Sequence, residues 1–205
     1  MSGTLAGDRR TQRREAARRE ILDAAWDLVR AEGLAALAMR DLGARVGMRA
    51  QSLYGYFPSK HAIFDAMFAE ANQIIYERIS AIPASPDPAD ELREHARQYL
   101  AFCVEDPVRY QLLYQRTIPG FEPSAESYEI AIRTLQMSRD RLRACGITSG
   151  RAQDAWTAVT GGLAAQQNAN EPGGTRWVRL VDEITDMYLD RYRPASPAAD
   201  TTGPS

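Results

Sequence analysis

Residues 39–60 read MRDLGARVGMRAQSLYGYFPSK. Residues 39–46 carry a helical apolar spacing that stops at Gly47. Residues 50–57 carry a second short one that stops at Pro58. Leu53 and Phe57 stand four apart, so they share a face and are expected in the core. Gln51, Ser52, Tyr54 and Tyr56 are left for the outer face and its edges. Ser59 is placed to cap a further helix that begins at Lys60, the only lysine in the chain.

Working outward, residues 10–32 place Ile21, Ala25, Leu28 and Val29 on one face, and Gly33 follows as a helix terminator. Residues 60–82 repeat the pattern with Ile63, Phe64, Met67, Phe68, Ala71, Ile74 and Ile75. The segment PASPDP at 83–88 then breaks it. Asp87-Pro88 and Asp106-Pro107 each read as an N-cap followed by proline at the first helical position, which predicts helices over 88–104 and 107–116. TIPGFEP, residues 117–123, is a loop, and further helices are expected over 124–144, 150–168 and 175–192. Strand signals are almost absent. The predicted fold is all-α, with about nine helices. The expected organisation is a basic N-terminal arm (1–15), a three-helix domain (16–76), a C-terminal helical domain (84–193) and a disordered tail (194–205).

Charge separates the two ends. The net charge is −2, yet the first 60 residues sum to +4 and the remainder to −6. Arginines 9, 10, 13, 14, 18 and 19 are the densest cluster, which suggests that this end meets a polyanion. No apolar run reaches the roughly 18–20 residues of a membrane span, and the N-terminus lacks the apolar core of a signal peptide. A cytoplasmic location is therefore expected. Cys103 and Cys145 fit no metal or redox spacing, and His61 and His95 are the only histidines. No catalytic or nucleotide-binding motif is present, so no enzyme activity, metal or cofactor is expected.

Two short helices joined across a glycine, after one long helix, have the outline of a helix-turn-helix, with its motif over 39–58. In that unit the second helix enters the DNA major groove, which is about 12 Å wide. Tyrosine hydroxyls can donate to phosphate, glutamine can read adenine, and Lys60 adds a cation at a helix start.

The segments ILDAAWDLVRAEGL (21–34), MRDLGARVGM (39–48) and SLYGYFPSKHAIF (52–64) together resemble the N-terminal domain of the TetR (tetracycline repressor) family of bacterial transcription regulators. The resemblance covers residues 18–64. It implies DNA contacts by Tyr54, Tyr56 and Lys60, with Gln51 and Ser52 at the exposed start of the recognition helix and Arg40 near the start of the supporting one. Two positions depart from the family pattern. Ala38 and Arg49 stand where Ser or Thr usually caps a helix, and arginine cannot accept a hydrogen bond. Arg49 is instead expected to grip a phosphate or reach a guanine. By analogy with other helix-turn-helix proteins, the arginine-rich arm is placed to enter the minor groove.

The resemblance further implies a homodimer on a near-palindromic operator, acting as a repressor released by a small molecule. Helices 150–168 and 175–192 are the expected dimer surface. One side of it is a small-residue face of Ala155, Ala158, Val159, Gly162 and Ala165, and the other is Val178, Val181, Ile184, Tyr188 and Leu189. The middle helices supply the candidate effector residues Tyr99, Phe102, Tyr110, Tyr114, Tyr128 and Trp156, with His95, Gln111, Gln115 and Arg133 as polar handles. That set favours an apolar or aromatic effector. The alternative is a helix-turn-helix protein with no small-molecule effector, architectural or partner-controlled.

Overall fold

The computed structural model describes residues 3–194, with side chains from Arg9 onward. The expected tail beyond residue 194, and residues 1 and 2 of the basic segment, lie outside the described residues. Among the described residues there are nine α-helices: α1 Gly3–Glu32, α2 Met39–Arg45, α3 Ala50–Leu53, α4 Lys60–Ser80, α5 Pro88–Glu105, α6 Pro107–Tyr114, α7 Ala125–Ala144, α8 Gly150–Asn170 and α9 Val181–Tyr192. None of the helices is long and apolar enough to cross a membrane.

Two compact units result. Among the described residues, one contains 3–77 and 106–134, the other 78–105 and 135–194, so the division falls inside α4 and again inside α7. The sequence reading grouped residues 106–134 with 84–193. In the structure Leu112 belongs to the same buried cluster as Ile21, Leu28, Leu42, Leu53, Phe57, Phe64 and Met67, and Val108, Leu113, Ile118 and Phe121 pack against it. Apolar contact, not chain order, sets the unit.

The caps predicted at Ser59, Asp87 and Asp106 form, while Ser149, also placed by the sequence to cap a helix, makes no side-chain cap bond to α8. The Ser59 hydroxyl accepts from the Ala62 N–H at 3.1 Å. Asp87 accepts from Ala89 N–H at 3.0 Å, and Asp106 from Val108 and Arg109 N–H at 3.2 and 3.0 Å. Each holds donors that a helix start leaves open.

Three boundaries differ from the expectation. The first helix, expected over 10–32 behind a basic arm at 1–15, starts at Gly3, so residues 3–15 belong to α1. The segment predicted as a helix over 50–57 is α-helical only to Leu53. Beyond it, Tyr56 and Phe57 N–H both donate to the Leu53 carbonyl, at 2.8 and 2.9 Å, and the chain closes in tight turns before Pro58. The last helix was predicted from 175 but starts at Val181. The buried Gln167 carboxamide oxygen accepts from Trp177 and Val178 N–H at 2.9 and 3.3 Å, and Val178–Leu180 wind as a 3-10 turn.

In the second unit α5, α8 and α9 pack together through Leu92, Leu100, Trp156, Leu163, Val181 and Leu189. Tyr188 donates to the Ala152 carbonyl at 2.8 Å, and its ring stands 4.9 Å from that of Trp156. Val181, Tyr188 and Leu189, predicted for the dimer surface, are therefore protomer core. Arg97 meets Asp182 at 2.8 and 3.0 Å, and Arg93 meets Asp186 at 2.8 Å. These exposed pairs fix register and contribute little energy.

Gly43, inside α2, is a packing requirement that the sequence reading did not single out. A Cβ there would sit 2.7 Å from the Met48 carbonyl oxygen and 3.3 Å from the Ala50 nitrogen. In an ordinary exposed helix, Gly→Ala stabilises by up to about 1 kcal/mol. Here the sign should reverse: Gly43→Ala is expected to destabilise by about 1–3 kcal/mol, read as a lowered midpoint in urea unfolding.

Candidate nucleic-acid interface

The turn between α2 and α3 is closed by the Met48 N–H donating to the Gly43 carbonyl at 2.8 Å. Neither helix has a side-chain cap: Ala38 cannot provide one, and Arg49 precedes α3 in an extended conformation with no cap bond. What holds α3 is burial. Leu53 is 0% and Phe57 1% exposed, both inside the cluster of the first unit. Burying such side chains is worth about 1.5–3 kcal/mol each. With those two residues turned inward, Arg49, Gln51, Ser52 and Tyr54 are exposed together on the other side. Tyr54 keeps 47% of its surface in solvent.

The remaining predicted contacts sit at the rim. Tyr56 is half-buried. Lys60 is also half-buried, its ammonium 5.7 Å from the Phe64 ring centre. The Arg40 side chain is 89% exposed and pairs with Asp41 at 3.1 Å, an interaction weak enough for a phosphate to displace.

The arginine cluster divides. Arg14 donates to the Gly55 carbonyl at 2.8 Å and lies 5.5 Å from the Tyr56 ring centre. Arg18 donates to the Tyr56 carbonyl at 2.6 Å and lies 4.2 Å above Phe57. These two arginines brace the turn after α3 from behind. They do so from within α1, which is helical from Gly3. Arg9, Arg10, Arg13 and Arg19 are exposed. The signal was present in the sequence: 14, 18, 21 and 25 fall on one helical face, and the last two are core residues.

The six candidate effector residues are shared between the two units. Tyr110, Tyr114 and Tyr128 belong to the first unit, and Tyr99, Phe102 and Trp156 to the second. Phe102 and Trp156 are buried. Tyr114 and Tyr128 line a cavity of about 200 Å3 in the first unit. Of the polar handles, Arg133 lies 5.2 Å from the Tyr76 ring, and His95 is buried with its Nδ1 lacking a hydrogen-bond partner. Burial first, then the Arg141 cation, pushes His95 down to about 3.

Comparison with known proteins agrees with this geometry. Residues 21–67 match the family described as bacterial regulatory proteins, tetR family. The HTH-type transcriptional repressor DrrR1 of Streptomyces coeruleorubidus is 29% identical over 205 residues, covering 90% of this chain and 69% of that protein. The nucleoid occlusion factor SlmA of Vibrio vulnificus is 31% identical over 105 residues, half of this chain and 52% of its own length. The chain spans about half the length of several curated relatives it matches, among them a Mycobacterium bovis HTH-type regulator at 56%. In fold, the TetR family transcriptional regulator PfmR of Thermus thermophilus superposes with a TM-score of 0.64 at 20% identity, over 83% of this chain and 97% of that one.

Two outcomes follow from the geometry. Arg18→Gln removes one bond to a carbonyl and one cation–ring contact, so it should cost about 1–2 kcal/mol in urea unfolding. The exposed neighbour change Arg19→Gln should stay within about 0.5 kcal/mol. His95 is neutral in the folded protein and titrates near 6.5 when unfolded. Its contribution is thus complete above about pH 6.5 and lost as pH falls toward about 3, because the unfolded state then binds more protons. The difference between wild-type and His95→Gln unfolding free energies, measured from pH 7 to 4, should shrink steadily with acidification.

Proposed function

We propose that this chain, which belongs through residues 21–67 to the tetR family of bacterial regulatory proteins, is a transcription regulator that binds a near-palindromic operator as a homodimer. The observation that carries the reading is the anchoring of Leu53 and Phe57, which leaves Arg49, Gln51, Ser52 and Tyr54 exposed on one side of α3. A side-chain set of this kind suits base edges and phosphates in a major groove. Arg40, Tyr56 and Lys60 supply flanking backbone contacts. The printed name of DrrR1, a transcriptional repressor aligned over most of this chain, favours repression.

Pairing through α8 and α9 is supported by a free helix face. Ala158, Val159 and Gly162 are exposed on α8, and Met187 is 59% exposed on α9. A Cβ added to Gly161 or Gly162 would meet nothing within 4 Å in the protomer. Two mid-helix glycines cost about 0.5–1 kcal/mol each, and the protomer gains nothing from them. Close approach of a second helix explains them. An apolar or aromatic small molecule that prefers the DNA-incompetent dimer would release the operator.

A second reading has one specific support. SlmA, 31% identical over half of this chain, carries the name of a nucleoid occlusion factor, which specifies neither an operator nor a small-molecule effector. In that reading DNA is bound with no small-molecule effector.

Selection of genomic fragments by the purified chain tests the proposal. One or a few sites with two-fold sequence symmetry are expected, at near-nanomolar to ten-nanomolar affinity. Many dispersed sites would favour the second reading, and no bound DNA would refute both. On a selected site, Arg49→Ala is expected to weaken binding and to flatten the plot of log K against log salt by about 0.9 per lost phosphate contact per subunit.

A further inference from the structure

The first described turns of α1 stand outside the packed body. Every residue from Arg9 to Ala16 is exposed, and burial begins only at Ile21. Residues 9–14 carry four arginines and no acidic residue. Arg9 and Arg13 stand four apart, as do Arg10 and Arg14, a spacing at which like charges on a helix repel. Cations near a helix start also oppose its dipole. A stretch that is polar all round has no packing to offset this. The stretch is nevertheless helical from Gly3, and it is tied down at its inner end. Arg14 donates to the Gly55 carbonyl at 2.8 Å and Arg18 to the Tyr56 carbonyl at 2.6 Å. Arg10 continues the face of Arg14 and Arg18 one turn farther out, past the turn that follows α3.

We infer that these turns of α1 are a helical clamp for the phosphate backbone of duplex DNA beside the site met by α3. Arg9, Arg10 and Arg13 make the contacts, and Arg14 and Arg18 are positioning residues that aim the helix. The inference rests on the DNA-binding reading and adds a second contact surface to it.

Geometry and charge favour the backbone as the partner. An α-helix with its side chains is about 10–12 Å across, and the minor groove is about 6 Å wide, so this helix cannot lie in the groove as an extended arm would. The clamp therefore replaces the minor-groove arm expected from the sequence. Guanidinium groups bind phosphate through paired, charge-assisted hydrogen bonds. The same phosphates relieve the repulsion among the arginines. From Gly3 to Arg14 the helix rises about 16 Å, which matches the axial length of about five base pairs. Contacts are confined to that distance from the α3 site.

The test compares the full chain with Arg9→Gln/Arg10→Gln/Arg13→Gln. All three positions are exposed, so urea unfolding should be unchanged and serves as the fold check. On a selected DNA site extended on both sides, the variant should bind about tenfold more weakly at physiological salt. Its plot of log K against log salt should flatten by about 0.9 per lost contact. Trimming the duplex to the bases under α3 should weaken the wild type by a similar factor and leave the variant nearly unaffected. Arg14→Gln should weaken the wild type about threefold and add nothing in the triple variant. Backbone contacts carry no sequence information, so exchanging A·T for G·C in the flanks should leave wild-type affinity within about twofold. An unchanged salt slope in the triple variant, or equal losses by both proteins on trimming, overturns the clamp. A flank-sequence dependence that vanishes in the triple variant places the arginines in the minor groove and overturns the backbone assignment. A further loss from Arg14→Gln in the triple variant overturns its positioning role. The same comparison on a random-sequence duplex at low salt needs no selected site. Failure to select any fragment therefore refutes the operator reading alone, whereas equal binding of both proteins to the random duplex, or none by either, overturns the clamp.

Discussion

Burial of Phe57, together with Leu53, is the constraint on which the DNA-facing end depends. The α3 helix has four residues, no side-chain cap before it and a glycine soon after it. A helix that short has no stability of its own, because nucleation is unfavourable and too few bonds follow. Two apolar anchors at positions four apart replace what hydrogen bonding cannot give. They also fix rotation about the helix axis, which decides that 49, 51, 52 and 54 face outward. The Arg18 guanidinium, 4.2 Å above the Phe57 ring, closes the same pocket from the α1 side. Orientation and stability of the outward face are one property.

The same cluster explains why α6 and the following connection belong with the N-terminal helices. Chain order suggested a boundary at PASPDP, residues 83–88. The buried partners of Leu112 and the ring contacts of Phe121 lie on the other side of it. A proline-rich break marks where helix propensity stops, and it says nothing about which surfaces meet afterwards. Asp65 then adds a polar key, a carboxylate at the start of α7 where helix N–H groups and the dipole favour it.

Local signals in the sequence carried the helix count, the Asp87, Asp106 and Ser59 caps, and the inward turn of Leu53 and Phe57. These depend on spacing and on one-residue chemistry, and the structure bears them out. Tertiary contacts overrode the rest. The late start of α9 comes from Gln167, ten residues before its acceptor role is used at Trp177. The inward face of Arg14 and Arg18 follows from their spacing to Ile21 and Ala25, but the carbonyls they brace lie some forty residues away and carry no sequence signal. The steric need for Gly43 depends on how closely Met48 approaches, which no pattern of helix propensity records. The candidate aromatic residues are shared between the two units, a division that side-chain type does not record.

Assigning two arginines to the brace also bears on the proposed homodimer. The first 60 residues carry a net +4. Arg14 and Arg18 face carbonyls and rings, and Arg45 pairs with Glu32 at 3.1 Å. The cations left for phosphate in the proposed complex are Arg40, Arg49 and Lys60 beside the motif and the exposed Arg9, Arg10, Arg13 and Arg19 of α1. Counterion release scales with the number of phosphates neutralised, so the proposed second domain on the same duplex adds an equal term. Two domains on one duplex double that term and add their base contacts, and the half-site spacing then supplies specificity that neither has alone. The exposed glycine face of α8 supports the same proposed assembly.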